Sequence, residues 1–208
     1  MLTPADQLTD VVENTRLSDQ LHRLTEFPAI VPIHSVTSAP LSWLDAQPFD
    51  TKIVWSDRDD RQVVVGAGAA ADIIVTADTP PKSAIDQCRR LTGNNRQLRF
   101  FGGLSFDGGH GWESFGAGRF VAPRFTLQDG LLSVTVMDRG DIGEALRAIA
   151  LLEDPSSANF GKIPSPVSLK FAPTEDGWLS TVDEALTLIR SEVLEKIVLA
   201  RKTSLAFD

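Results

Sequence analysis

Hydrophobic positions near the N-terminus recur every three or four residues. Residues 4–24 therefore predict one broken or two short amphipathic helices. Their apolar positions are Leu8, Val11, Val12, Leu17, Leu21 and Leu24. Prolines interrupt the stretch from Pro28 to Pro48, in which residues 30–33 look extended and residues 42–44 predict a turn of helix.

The pattern then becomes typical of strands. Residues 51–55 and 62–65 predict two strands joined by a charged turn at residues 57–60. Residues 71–76 predict a third strand or the end of the second one after a glycine-rich bend. A short helix over residues 83–91 should end at Gly93, since glycine favours the residue just past a helix.

The middle of the chain is dominated by strand patterns. Residues 98–106 and 119–127 are aromatic-rich runs separated by a glycine-rich loop. Asp129-Gly130 stands between residues 125–127 and the alternating run 132–136, which predicts a β-hairpin. Because proline cannot donate a ladder hydrogen bond, Pro123 indicates an edge strand or a bulge.

Two further helices and a last strand complete the pattern. Asp141 opens an amphipathic run, and residues 155–173, rich in proline and serine, predict a loop or linker. Thr181 with Glu184 matches a capping box, which predicts a helix start there. Residues 194–201 then predict a buried strand. Runs of strands with a few helices between them favour an α+β fold, with antiparallel β-sheet layers flanked by helices.

Lys196 stands at the start of that apolar run. A lysine in this position usually extends its amine to solvent while its stem covers apolar neighbours. The alternative is a partly desolvated amine, whose lowered pKa would suit a general base. In a strand, Lys196 shares a face with Val198 and with the small Ala200, which leaves room for a ligand. Spacing alone leaves both interpretations open.

Composition excludes several classes of function. The net charge of −8 argues against nonspecific nucleic-acid binding. There is no apolar run long enough for a membrane span and no secretory signal pattern. A single cysteine fits a reducing compartment, so we expect a cytoplasmic protein without nucleic-acid or membrane partners. The three histidines lie far apart, so no metal-ligand spacing is visible.

Two glycine-rich segments could be mistaken for nucleotide sites. Residues 66–71 follow a valine run, but a strand-like run continues after them where a dinucleotide site needs a helix. We interpret them as a bend. Residues 102–112 lack the Gly-Lys-Ser/Thr ending of a phosphate loop, which favours a turn between strands.

Three segments together resemble the isochorismate synthases, within the chorismate-utilising enzymes that include anthranilate, aminodeoxychorismate and salicylate synthases. The segments are Phe101-Gly102-Gly103-Leu104-Ser105-Phe106, then Phe115-Gly116 with Arg119-Phe120-Val121-Ala122-Pro123-Arg124-Phe125, and Lys196-Ile197-Val198-Leu199-Ala200-Arg201. The hairpin of residues 53–68 and the segment 178–194 fit the same pattern. The likeness covers the chain from about residue 40 onward.

The resemblance implies a function. In this family the lysine of the last segment is the general base. It deprotonates a water that attacks C2 of chorismate while the C4 hydroxyl leaves with help from a glutamate acid. Carried over, Lys196 is the catalytic base, and lysine in place of the glutamine of anthranilate synthases favours water as the nucleophile. Mg²⁺ is expected as cofactor and chorismate as substrate, in menaquinone or siderophore biosynthesis.

The resemblance also implies an incomplete enzyme. Family members are roughly twice as long, and their second half carries the acid and the magnesium-binding glutamates. We therefore expect residues 1–40 to be an N-terminal helical and extended segment and residues 41–208 the first half of the chorismate-utilising domain. This piece should be inactive alone, with a C-terminal half possibly supplied by another chain. Alternatives are a non-catalytic piece that acts only by association, or a relative of the salicylate synthases.

Overall fold

A computed structural model of the protein describes residues 15–37, 39–106, 115–154 and 165–207. The chain divides into two compact units, Met1–Ala158 and Asn159–Asp208. The predicted boundary near residue 40 does not coincide with this division, because residues 29–35 belong to the sheet of the first unit. Within the described residues, no helix is both long and apolar enough to cross a bilayer.

The described part of the first unit contains a six-stranded sheet with the strand order β1-β6-β5-β3-β2. All its pairings are antiparallel, as predicted, and β4 pairs with β5 beside the end of β6. The strands are β1 (Ala29–Ser35), β2 (Lys52–Ser56), β3 (Val63–Val75), β4 (Phe101–Leu104), β5 (Gly118–Gln128) and β6 (Leu131–Val136).

Helices contribute to a hydrophobic core on one face of this sheet. Leu21, Trp43 and Phe125 are among its buried members, together with alternate residues of β6. A smaller cluster joins the end of β3 to α3. The helices of this unit are α1 (residues 15–22), α2 (Pro40–Ala46), α3 (Pro81–Thr92) and α4 (Ile142–Ile149). The helical turn at residues 42–44 and the stop at Gly93 are confirmed, and residues 4–14 of the first predicted helices lie outside the described residues.

The glycine-rich segment after Val65 is part of a strand. β3 is 13 residues long and runs through this segment, with a bulge between Ala69 and Ala71. Gly68 has φ +67°, which glycine adopts without steric cost. Residues 66–71 therefore form a bulged strand where a bend between strands was predicted, and residues 71–75 are the end of the second predicted strand.

Pro123 lies in β5, in the middle of the sheet, so the predicted edge position is wrong and the predicted bulge is correct. It pairs with Ala69 at the β3 bulge. On the other side of β5, pairing with β4 stops at Val121 and pairing with β6 begins at Phe125. The missing N–H of proline therefore falls in a gap of the ladder.

Gly66 and Pro123 lie against each other across β3 and β5. A Cβ built on Gly66 would stand 2.7 Å from Cγ of Pro123, a distance that carbon atoms do not tolerate. Glycine at residue 66 is thus required by the proline ring.

The hairpin between β5 and β6 forms as predicted. Asp129 and Gly130 have φ values of +51° and +75°. A two-residue turn with both central residues at positive φ matches the twist of the flanking strands.

An ion pair joins β5 to the start of α4. Nη1 and Nη2 of Arg124 donate to the two carboxylate oxygens of Asp141, both at 2.7 Å, and Nη1 also donates to the Thr135 carbonyl. The Asp141 carboxylate also accepts the N–H of Met137 at 2.8 Å. The side chain of Arg124 is only 5% exposed. Charges this deeply buried are retained only when they are paired and hydrogen-bonded.

The amphipathic run that Asp141 opens forms α4, but the Asp141 side chain is used in this ion pair and not as a helix cap. Asp141 makes no side-chain cap bond at the start of α4. Asp138 instead accepts the N–H of Asp141 and caps a short 3₁₀ turn, Arg139–Asp141, that leads into the helix.

The second unit, as far as it is described, consists of β7 (Ser168–Ala172), α5 (Glu175–Arg190) and β8 (Lys202–Ala206). β7 and β8 pair antiparallel. β7 lies where a loop was predicted, and residues 155–164 of that predicted loop lie outside the described residues.

The predicted helix start at Thr181 is wrong. α5 begins at Glu175, and Thr174 is its N-cap. The hydroxyl of Thr174 accepts the N–H of Gly177. Glu175 and Asp176 then place negative charge in the first turn, which complements the helix dipole. Thr181 lies inside the helix and donates its hydroxyl to the Gly177 carbonyl.

The predicted buried strand over residues 194–201 is also wrong. Residues 196–201 have no strand assignment, and the strand of this region is β8, which begins at Lys202. A strand needs a hydrogen-bonding neighbour, and within the described residues the segment has none. Its apolar side chains are accessible, with Ile197 39% and Val198 81% exposed.

We predict that Arg124→Ala lowers the free energy of unfolding by about 3–5 kcal/mol, because it leaves the Asp141 carboxylate buried without its partner. Urea unfolding of the 208-residue chain, followed by tryptophan fluorescence to which the buried Trp43 contributes, measures the effect. The double variant R124M/D141L should recover part of the loss, since no unpaired charge remains. Equal loss in single and double variants would show that packing, and not charge pairing, dominates here.

Candidate functional site

Lys196 lies in the connection between α5 and β8, and its side chain is exposed. The connection leaves α5 through Ser191 and then Glu192, which has φ +59°. No hydrogen bond or ion pair involves the Lys196 amine among the residues that the structure describes. The alternative of a partly desolvated amine is therefore not met by the described residues alone, because they leave the Lys196 side chain exposed.

Other residues of the resembling segment do make a contact. The guanidinium carbon of Arg201 lies 4.1 Å from the ring centroid of Phe171, within the range of a cation–π interaction. This contact ties the end of the lysine segment to β7, directly before β8 begins. The segment 196–201 is thus held against β7 at its last residue, Arg201, and Lys196 lies five residues earlier in the chain.

The first unit carries a groove of about 910 Å³ between β2 and β4. Its walls include the aromatic side chains of Trp55 and Phe101, and Arg119 of β5 lies in its floor. Thr51 and Lys52 line the β2 side. Aromatic walls with a few polar groups are typical of small-molecule sites.

Arg119 is held in this groove by Asp72. Nε of Arg119 donates to Oδ1 of Asp72 at 3.0 Å, and Nη2 donates to Oδ2 at 2.7 Å. Nη2 also reaches the hydroxyl of Thr51 at 3.4 Å. The hydrogen bond to Asp72 raises the pKa of Arg119, so the guanidinium stays charged at every accessible pH. Because its charge is satisfied by Asp72, this arginine mainly joins β3 to β5.

The described residues contain neither a cluster of metal-ligand side chains nor a cysteine whose pKa is lowered. No three His, Cys, Asp or Glu side chains of the described residues lie together as metal ligands. The Mg²⁺ ligands were expected in the C-terminal half of the family's domain, and that expectation stays a prediction. Burial raises the pKa of the Cys88 thiol, which disfavours the reactive thiolate.

Sequence reasoning missed both arginine pairs, although Arg119 and Arg124 belong to one of the segments that carry the resemblance. A signal was available. Arginines within an aromatic-rich strand need carboxylate partners when they are buried, and the partners here lie 47 and 17 residues away. The spacing does not reveal which acids those are.

A family model described as "Chorismate binding enzyme" matches residues 25–208. The chain belongs to this family of chorismate binding enzymes. The match runs through the strands of the first unit and through Lys196. A search among curated protein sequences gives no significant match.

The fold is similar to that of MenF, the menaquinone-specific isochorismate synthase from Escherichia coli. The TM-score is 0.61 with 23% sequence identity, and the match covers 95% of this chain and 46% of the MenF chain. At this identity the likeness shows the fold. The chain thus spans a little under half the length of this relative and has part of a chorismate-utilising fold, as predicted.

We predict that Asp72→Asn, which breaks the partly exposed pair between Asp72 and Arg119, costs no more than about 1 kcal/mol of unfolding free energy. The cost should fall further in 1 M NaCl, because salt screens partly exposed charges. Urea titrations at low and high salt measure both effects. A loss as large as that of Arg124→Ala, insensitive to salt, would contradict the assignment of this pair as a solvent-screened one.

Proposed function

We propose that this chain is the lysine-bearing half of an isochorismate synthase. The observation that supports this proposal is the family match over residues 25–208, which includes the segment that begins at Lys196. The likeness to the MenF fold adds support. The resemblance places Lys196 at a position where anthranilate synthases, which use ammonia, usually have glutamine. A lysine there favours water as the nucleophile.

In the proposed reaction the amine of Lys196 takes a proton from a water molecule. The water oxygen forms a bond to C2 of chorismate, the two conjugated ring double bonds each shift by one position, and the bond between C4 and its hydroxyl oxygen breaks. The departing hydroxyl takes up a proton from an acid and leaves as water. The atoms balance as an isomerisation, and no oxidant or reductant is needed.

A lysine accepts a proton only in its neutral form, and partial desolvation is what makes that form accessible near neutral pH. Lys196 is exposed to solvent in the structure. The base role therefore requires that groups beyond the described residues cover the amine in the working enzyme. The C-terminal half expected from the resemblance would supply that cover, in the same polypeptide or in another chain.

Magnesium belongs to this proposal only through the resemblance. Since the described residues offer no ligand set for it, no step assigned above is routed through the ion. A menaquinone role and a siderophore role remain equally compatible with Lys196, and the cytoplasmic location stays a prediction.

A second candidate function is association without catalysis. The observation that favours it is the exposure of apolar side chains along the second unit. Its accessible apolar residues include Leu169, Phe171, Leu186, Val193, Val198 and Leu205. A surface of this kind is typical of a protein–protein contact. This candidate predicts a stable complex with another chain in which chorismate is not converted.

The decisive measurement uses the gene with its natural coding sequence, including any codons that follow Asp208 and any adjacent open reading frame. Chorismate and Mg²⁺ are added, and isochorismate is quantified by liquid chromatography. We predict that Lys196→Ala lowers the rate by about 10²–10⁴-fold, the usual contribution of a positioned general base.

Lys202→Ala serves as the matched control, because Lys202 is an exposed lysine of β8 only six residues away. It should leave the rate unchanged. Activity that survives Lys196→Ala would falsify the base assignment, whereas a complex that forms and never converts chorismate would favour the second candidate.

A further inference from the structure

A pocket of about 560 Å³, lined by both polar and apolar side chains, lies on the face of the first unit's sheet that is opposite the main core. It is formed by side chains of β1, β5 and β6 and by the segment 96–101, which leads into β4. The described residues that line it all belong to the first unit. Its size is within the range of sites that hold small organic ligands.

Hydroxyl groups form the floor of this pocket. Leu132, Val134 and Val136 point into the core, so Ser133 and Thr135 point to the opposite face, where they line the pocket. Thr135 is only 2% exposed and Ser133 only 9%. Neither hydroxyl forms a hydrogen bond with another of the described residues.

Buried hydroxyls without partners are unusual. Leaving such a group unsatisfied costs about 1–3 kcal/mol, so buried polar atoms are normally paired with protein, water or a ligand. The two hydroxyls here lie side by side on one strand face and open into a cavity far larger than one water molecule. They are therefore available as donors to a bound molecule.

The rim of the pocket is positively charged. Arg96 and Arg99 line it, with Asp129 as the opposing acid. Nη1 of Arg99 donates to the side-chain oxygen of Gln128 at a long 3.4 Å. Arg96 has no hydrogen-bond or ion-pair partner among the described residues. A guanidinium group with free donors matches the two oxygens of a carboxylate or phosphate.

The walls are apolar. Ile30 and Pro32 of β1 form one side, and Phe101 of β4 lies among the other lining residues. These groups suit a hydrocarbon ring better than an inorganic ion, because a bare ion would lose hydration against them without compensation.

We propose that this pocket binds a small cyclic or aromatic anion. The anionic group is held by Arg96 and by the hydroxyls of Ser133 and Thr135, and the ring lies against Ile30, Pro32 and Phe101. The ligand chemistry is that of a carboxylate or a phosphate ester on a ring. The inference does not rest on the proposed function, since it involves neither Lys196 nor any other residue of the second unit.

The test is a titration of the ¹⁵N-labelled 208-residue chain with benzoate, phenyl phosphate and the neutral benzamide, followed by two-dimensional NMR. Benzoate or phenyl phosphate should shift the amide signals of residues 96–99 and 133–135 in a saturable way. The member of the pair that binds more tightly identifies the anionic group. Benzamide should bind at least about tenfold more weakly, because hydrogen bonds to a charged group are the stronger ones.

Variants separate the two parts of the site. Thr135→Val removes one hydroxyl and should weaken binding by about threefold to tenfold, whereas Thr135→Ser should retain it. Arg96→Gln at the exposed rim should weaken binding by about tenfold or more. Arg90→Gln, an exposed arginine of α3 outside the pocket, is the control and should have no effect.

The inference is overturned if neither anion produces saturable shifts at these residues, or if benzamide binds as tightly as benzoate. It is also overturned if Arg96→Gln and Arg90→Gln have the same effect. Arg96 is on the surface, so this comparison holds even if the buried Thr135→Val variant fails to fold. None of these results depends on whether the protein converts chorismate.

Discussion

The bidentate ion pair between Arg124 and Asp141 is the interaction on which the first unit depends. It joins the central strand of the sheet to the start of α4 at a point where the ladder beside β5 is interrupted. The guanidinium also satisfies the Thr135 carbonyl, and the carboxylate satisfies the Met137 N–H. One pair of side chains thus satisfies two backbone groups at the end of β6 and links this strand to the start of α4.

The two units differ in how completely they bury their apolar side chains. The first unit encloses a contiguous core between its sheet and its helices. The second unit consists, in its described part, of one helix and one two-stranded hairpin, and Ala185 is the one buried residue of its helix. A two-stranded hairpin is at most marginally stable by itself. The family match extends over both units, so the part that carries Lys196 is also the part with the least protection from solvent.

Local rules predicted the first unit well. The Asp129-Gly130 hairpin and the stop at Gly93 follow from short-range steric preferences that the residues themselves express. The partners of Arg119 and Arg124 could not be predicted, because they depend on tertiary contacts between distant residues.

The errors in the second unit have a different origin. Thr181 with Glu184 has the sequence of a capping box, yet Thr174 followed by two acids starts the helix earlier and takes precedence. The apolar run 194–201 has the composition of a strand but no neighbour to pair with among the described residues. For the candidate site, the resemblance identified Lys196 as the candidate base. The environment of the Lys196 amine could not be predicted, because the described residues make no contact that would desolvate it.

The close approach of Gly66 and Pro123 couples two positions on different strands. A side chain at residue 66 has space only when the ring at residue 123 is lost, and a proline at residue 123 is tolerated only opposite glycine. Evolution therefore cannot alter either residue independently, and family members should inherit the two as a co-varying pair.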